Sequence, residues 1–394
     1  MKKQQSLWRR LAQGGLFAAA GVLLVPATAS AQDTIRVGLM LPYTGTYARL
    51  GEAITNGFKL YVDQHGGKVG GLKVQYFAVD AEADPSKAPE NTNRLIQRDN
   101  VDVLVGPVHS GVAIGMARIA RDSDVIMIDP NAGADQITGP LCSPNIFRSS
   151  FSNWQPGYGT GAMMAKDGHK TAATLTWDYA AGEQQVNGFK EAFEKGGGKV
   201  VRQLALPFPQ VEFQAYLTEI ASLNPDAVFV FFAGGGAVKF TKDYAAAGLK
   251  GKIPLYGTGF LTDGTLEAQG ETAEGVKTSL HYAESLDTPA NKKFQQAYQK
   301  KYKDVGDVYA VQGYDAAQLL AIGVEAVKGD ISNRDGMIEA MEGAVIDSPR
   351  GEWRMSDAHN PIQDFYARVV RNGDNVVTGI AVEDLADPAR GCKM

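Results

Sequence analysis

Cysteine is scarce: the 394 residues contain two, Cys142 and Cys392. There is no CxxC pair, and the five histidines (His65, His109, His169, His281 and His359) show no ligand spacing. Metal and redox centres are therefore not expected. GxSxG, HExxH and the Walker loop are all missing, which removes the common routes to nucleophilic, zinc and phosphoryl-transfer chemistry. Gly234-Gly-Gly236 follows an apolar run as a phosphate loop would, but a GxGxxG pattern puts Lys239 where its last glycine belongs. No cofactor is expected. His109 and Ser110 are adjacent, and successive side chains diverge, so they do not form a base and its nucleophile. An enzyme is not expected.

Basic charge is also short. Residues 1–31 hold Lys2, Lys3, Arg9 and Arg10 and no acid; without them 35 basic residues face 44 acidic ones, a net charge of −9. That balance argues against nucleic acid and anionic membranes as partners. The one long apolar run, Leu16 to Pro26, is too short to span a bilayer. With the basic residues before it and Ala29-Ser30-Ala31 after it, it reads as a secretory signal, cleaved after Ala31. No cysteine follows that site, so a lipid anchor is not expected. In an exported chain two cysteines suggest a disulfide between the Gly-Pro-Leu-Cys142 loop and the tail at Cys392; two free buried thiols are the alternative.

What the chain does have is a regular alternation of β and α patterns. Strands are expected at 35–41, 72–80, 101–105 and 125–128, with helices over 48–64, 86–98 and from Ser110 onward. The same grammar restarts with a helix from Trp154, strands at 171–177, 199–206, 227–232 and 253–256, and helices at 184–195 and 212–223. Beyond Leu280 helices are expected at 290–302, 309–327 and 334–341. A hairpin follows, with its turn at Asn372-Gly-Asp. Such alternation predicts an α/β fold of two doubly wound parallel-sheet lobes. No long linker divides them, so several strands must cross between them as a hinge. The expected boundaries are 32–149 plus 283–360 for the first lobe, and 150–282 plus 361–391 for the second.

Ser110 is expected to cap the helix that follows strand 101–105, at the carboxyl end of a parallel strand. Free N–H groups and the positive end of the helix dipole favour an anion there. Other exit loops carry aromatics, glycines and polar groups. In the first lobe these are Tyr47, His109, Asn131, Ala132 and Gly133; in the second, Trp154, Tyr179, Phe232, Gly234, Gly259 and Phe260. Together they suggest a small-molecule pocket between lobes.

The chain resembles the type I periplasmic solute-binding proteins of the branched-chain amino acid and aromatic acid ABC uptake group. The resemblance rests on Ile35-Arg-Val-Gly-Leu-Met-Leu-Pro-Tyr-Thr-Gly45, Asp84-Pro-Ser-Lys-Ala88, Val105-Gly-Pro-Val-His-Ser-Gly111, Asn224-Pro-Asp-Ala-Val-Phe229, Ala247-Gly-Leu249 and Tyr314-Asp-Ala316. It implies a periplasmic monomer whose lobes close over one ligand and dock on an inner-membrane ABC permease. It also implies that Ser110 and residues 131–133 hold the ligand's carboxylate. The family usually meets an α-ammonium with an acid just after the strand ending at Tyr256. Here that segment is Gly257-Thr-Gly-Phe260, with no acid before Asp263. An α-ammonium would then be buried without a countercharge. The expected ligand is an aromatic carboxylate of benzoate, hydroxybenzoate or phenylpropanoid type, stacked on the aromatic loops. An amino acid, its ammonium on Asp129, Asp178 or Glu183, is the alternative. A ligand-sensing receptor subunit is a further one; it needs a separate signalling chain, since no spanning segment is expected after Met394.

Overall fold

The structure, a computed structural model, describes residues 33–394. The expected signal segment and its cleavage point lie outside the described residues.

The first sheet contains β1 (Thr34–Leu41), β2 (Lys68–Val69), β3 (Leu72–Asp80), β4 (Val103–Val105), β5 (Ile126–Asp129) and β6 (Ile146–Arg148), connected by α1 (Ala48–Gln64), α2 (Ala88–Asn93) and α3 (Ser110–Ala120). The chain then forms α4 (Trp154–Lys166), β7 (Thr171–Asp178), α5 (Ala180–Lys195), β8 (Lys199–Pro207), α6 (Gln214–Leu223), β9 (Ala227–Phe231), α7 (Gly234–Ala246), β10 (Leu255–Thr258), α8 (Leu266–Gln269) and β11 (Lys277–Leu280). Three helices follow, α9 (Pro289–Tyr302), α10 (Val308–Ala326) and α11 (Arg334–Glu342). The last strands are β12 (Arg354–Met355), β13 (Pro361–Arg371) and β14 (Asp374–Leu385).

The first sheet runs β2-β3-β1-β4-β5-β6; the second runs β12-β13-β11-β10-β9-β7-β8, with β14 on β13. Apart from β2 in the first sheet and β12, β13 and β14 in the second, every pairing is parallel. Strands covered on both faces read as continuous apolar runs, and β4 and β9 are buried throughout. Both sheets share one winding, β3-β1-β4-β5 and β8-β7-β9-β10. Strand order therefore reverses beside β1 and beside β7, and at such points loops part to leave a crevice at the carboxyl ends.

The helical stretch after β11 returns to the first sheet, where α10 lies along α1. Their backbones touch: a Cβ on Gly57 would stand 1.8 Å from the Ala310 carbonyl oxygen, and one on Gly313 would stand 2.0 Å from that of Ile54. β13 then joins the second sheet antiparallel to β11 and folds back into β14, with Arg371 opposite Asp374. Cys142 and Cys392 form a disulfide, Cα atoms 5.6 Å apart, that holds the tail against the loop after β5. Among the described residues no helix is long and apolar enough to cross a membrane.

Several boundaries differ from expectation. The helix over 86–98 breaks into α2 and a π turn, Arg94–Arg98. α5 starts at Ala180, because the small residues after Tyr179 already belong to its first turn. The glycine triplet is helical rather than a loop, and Gly234 opens α7.

Gly57→Ala and Gly313→Ala each insert a methyl group into backbone contact. Each is expected to cost about 1–3 kcal/mol by forcing α1 and α10 apart, seen as a lower Tm in thermal unfolding. An unchanged Tm would show that the two helices have room to separate.

Candidate functional site

Each sheet presents its exit loops to the other. After β1 a short 3-10 turn, Gly45–Tyr47, turns the Tyr47 ring inward, where it is buried. After β4 the N-cap of α3 is His109, not Ser110: its Nδ1 accepts from the Gly111 N–H at 3.1 Å. Ser110 is the first helical residue, and its Oγ accepts from Asn153 Nδ2 at 3.1 Å. After β5 comes Gly133, where a Cβ would stand 2.5 Å from Asn153 Oδ1 and 2.6 Å from the Phe151 ring. That glycine lets the segment leaving the first sheet pass close by. From the other side come Tyr179 before α5, Phe231 and Ala233 at the end of β9, and Phe260 after β10.

These groups surround a cavity that Leu50, Val108, Asn131, Ala181, Gln185 and Tyr309 complete. The space between atoms is about 300 Å³, of which only about 20 Å³ is wide enough for the centre of a water molecule. The site is a narrow slot. The walls meet around it: Tyr47 and Tyr179 share a hydrogen bond at 2.9 Å, and Arg49 Nε donates to the Gly264 carbonyl at 2.8 Å. A Cβ on Gly234 would stand 2.3 Å from the Thr46 carbonyl oxygen. This glycine (φ 55°) serves close approach of the two lobes, not a phosphate.

Among the described residues, no Asp, Glu, Lys or Arg lines the slot. Asp263, the first acid after β10, is fully buried and paired with Arg368 at 2.6 Å. Asp129 is also buried and turns back to accept the Asn131 N–H at 3.1 Å. Burial pushes its carboxyl up to about 7 against the pull of Arg148. Asp178 and Glu183 are exposed. In place of charges, three helices begin at the slot: α3 at Ser110, α5 just before Ala181 and α7 just after Ala233, the last two without a side-chain cap. Their positive dipole ends and N–H groups suit an anion.

Ser110, Tyr47, Asn131, Gly133, Tyr179 and Phe260 thus meet at the slot as expected from the sequence, and six other expected residues stand away from it. His109 lies behind the wall, its ring stacked on Tyr179 with centroids 4.4 Å apart. Ala132 is part of the first lobe's apolar core. Trp154 faces the other way, packed on Tyr158, with Nε1 donating to Glu191 at 2.9 Å. Phe232 packs against Trp177 and Phe213; strand alternation gives the slot to Phe231 instead. Gly234 makes the lobe contact, and Gly259 lies against Leu280 and Arg368. Sequence reasoning missed Phe151, Asn153, Gln185 and Tyr309. Helical spacing from Ala181 points to Gln185 once α5 starts at Ala180. Tyr309 arrives from a distant helix and carries no local signal.

The family model described as "Periplasmic binding protein" matches residues 34–375. Among solved structures, the chain is similar to a solute-binding protein of an ABC transporter from R. palustris in complex with benzoate. Identity is 53%, the TM-score is 0.90, and the match covers 92% of this chain and 100% of that one. It is also similar to one from Rhodopseudomonas palustris BisB5 in complex with 3,4-dihydroxy benzoic acid, at 34% identity and TM-score 0.85, covering 90% and 99% of the two chains. Among curated proteins it is 30% identical over 364 residues to Leu/Ile/Val-binding protein homolog 6 of Brucella melitensis, covering 91% of this chain and 93% of that one.

Burial lowers the His109 imidazole to about 4, with Asp84 opposing, which keeps Nδ1 free to accept. The unfolded chain takes up that proton near the ordinary value of 6.5. The stability linked to His109 is therefore complete above pH 6.5 and is lost as pH falls toward 4, at about 1.4 kcal/mol per pH unit. His109→Gln keeps an acceptor without the titration. Its stability is expected to fall less steeply over that window, by one proton's slope; parallel curves would count against the assignment.

Proposed function

The chain belongs to the periplasmic binding protein family, whose members here are solute-binding proteins and not enzymes. From that premise we propose that it is the capture component of an ABC uptake system, closing over an aromatic carboxylate of the benzoate type. The observation that carries this reading is the slot: narrow, walled by Tyr47, Phe151, Tyr179 and Phe260, supplied with hydroxyls, amides and helix N-termini, and, among the described residues, free of charged side chains. An aromatic ring gains from offset and edge contacts with such walls. A carboxylate is stabilised by N–H donors and dipoles without a cation. An α-ammonium would lose its hydration with no countercharge, at a cost of several kcal/mol. The benzoate and 3,4-dihydroxy benzoic acid held by the two similar structures support the same ligand class.

In this reading the carboxylate meets Ser110 and the start of α3, with Asn131 and Gly133 beside it, and the ring lies between the lobes. The lobes turn on crossings near 149/150, 282/283 and 360/361. Buried bonds tie two of those crossings together: Arg350 Nη2 to the Ser149 carbonyl at 2.7 Å, Gln155 Nε2 to that of Pro361 at 3.0 Å, and Asn360 Nδ2 to Gln155 Oε1 at 3.0 Å. The exported form begins at Gln32, acts as a periplasmic monomer and hands its ligand to an inner-membrane permease. Branched-chain amino acid binding is the second reading, favoured by the name of the Brucella relative. It requires an ammonium partner that the lining of the slot does not supply.

Thermal shift of the mature chain tests the two readings. At a hundredfold excess over Kd, a ligand adds about 2.7 kcal/mol of stability. Benzoate-type acids are expected to raise Tm and leucine to leave it unchanged; the reverse pattern would refute the aromatic reading. Ser110→Ala removes a donor to a charged acceptor, about 1.5–3 kcal/mol, and is expected to weaken aromatic acid binding about 10- to 100-fold. An affinity within twofold of wild type would take Ser110 out of the site.

A further inference from the structure

Two polar side chains of the slot lining meet no hydrogen-bond partner among the described residues. Gln185 and Tyr309 both line it, and each is 1% exposed. Among the described residues, Gln185 Oε1, Gln185 Nε2 and the Tyr309 hydroxyl find no hydrogen-bond partner. Their neighbours differ. The Tyr47 and Tyr179 hydroxyls bond each other, Ser110 Oγ accepts from Asn153, and Asn131 Nδ2 donates to Gln312 at 2.7 Å. A buried polar group left alone costs about 1–3 kcal/mol, and native interiors rarely tolerate it without a reason. Both residues line the slot that a ligand would fill, which offers the reason.

The chemistry of the three free atoms narrows the ligand. Nε2 donates, Oε1 accepts, and a phenol does either. Interchanging the two ends of the amide changes nothing, because both are free. A benzoate ion only accepts hydrogen bonds, so it leaves Oε1 unmet wherever its carboxylate lies. A ring hydroxyl both donates and accepts. An ammonium also donates, but the slot offers it no countercharge.

Resting on the aromatic-carboxylate reading above, we propose that the preferred ligand carries a hydroxyl on its ring, and that Gln185, with Tyr309, sets the preference for hydroxybenzoates over benzoate. Gln185 stands on α5 and Tyr309 on α10, one on each lobe. The hydroxyl is therefore read in the closed state, and a bare ring would close over an unmatched amide. Sites built to bond a hydroxyl discriminate strongly against ligands that lack it.

Calorimetry with benzoate, 3-hydroxybenzoate, 4-hydroxybenzoate and leucine tests this on wild type, Gln185→Met and Tyr309→Phe. Wild type is expected to bind at least one hydroxybenzoate about tenfold or more tighter than benzoate. Gln185→Met is expected to bring that ratio close to one, by weakening the hydroxybenzoates and tightening benzoate; Tyr309→Phe is expected to reduce the ratio. The proposal is overturned if wild type binds benzoate as tightly as both hydroxybenzoates, a result that depends on no variant. It is equally overturned if Gln185→Met keeps the full preference. Benzoate binding without a hydroxyl preference defeats this inference alone. Tight leucine binding with no aromatic acid bound defeats the reading beneath it.

Discussion

The ion pair between Asp263 and Arg368 decides what the cleft can hold. Both residues are fully buried, 2.6 Å apart. Arg368 also donates to Thr278 Oγ1 at 3.1 Å and to the Tyr282 carbonyl. It sits on β13, the strand that brings the chain back to the second sheet after the helical stretch. The last part of the fold thus neutralises the first acid after β10. Removing either partner would strand a buried charge, at about 3–5 kcal/mol. With Asp263 held this way, the slot carries no formal charge, and recognition falls to helix N-termini and neutral donors. The same dipoles that favour a carboxylate oppose an ammonium.

Closure and recognition draw on one set of rings. Tyr47 packs on Phe208 and Trp177, with centroids 5.2 and 5.9 Å away, Tyr179 packs on both His109 and Phe208, and Phe151 meets Phe260 at 4.8 Å. The second lobe's aromatic core runs without a break into the slot wall. A planar ligand extends that packing across to Tyr47, so its binding free energy favours the closed arrangement over the open one. Buried hydrogen bonds join the segments near residues 149–155 and 360–363.

Much of the fold was legible because parallel strands and amphipathic helices leave local periodic signals. The apolar runs at Val103–Val105 and Ala227–Phe231 and the helix Ala48–Gln64 needed no tertiary information. Half of the expected site residues reach the slot, because the exit loops of β1, β4, β5, β7 and β10 are fixed by winding alone. The misses have physical causes. Phe232 was one residue out of register, and Trp154 lies on a helix whose rotation its sequence does not set. Phe151 and Asn153 belong to the first crossing, and Tyr309 to a helix that reaches the slot only by packing on α1. The missing countercharge was visible as the acid-free Gly257-Thr-Gly-Phe260. That Asp263 is spent on Arg368 was not visible, since the two are 105 positions apart.

The most direct measurement is the affinity ratio of phenylacetate to 2-phenylglycine, two acids that differ only by an α-ammonium. A charge-free slot predicts that phenylacetate binds more tightly by about a hundredfold or more, the several kcal/mol of an uncompensated buried charge. Phenylglycine binding as tightly as phenylacetate, or more tightly, would contradict the account and place an ammonium partner in the cleft.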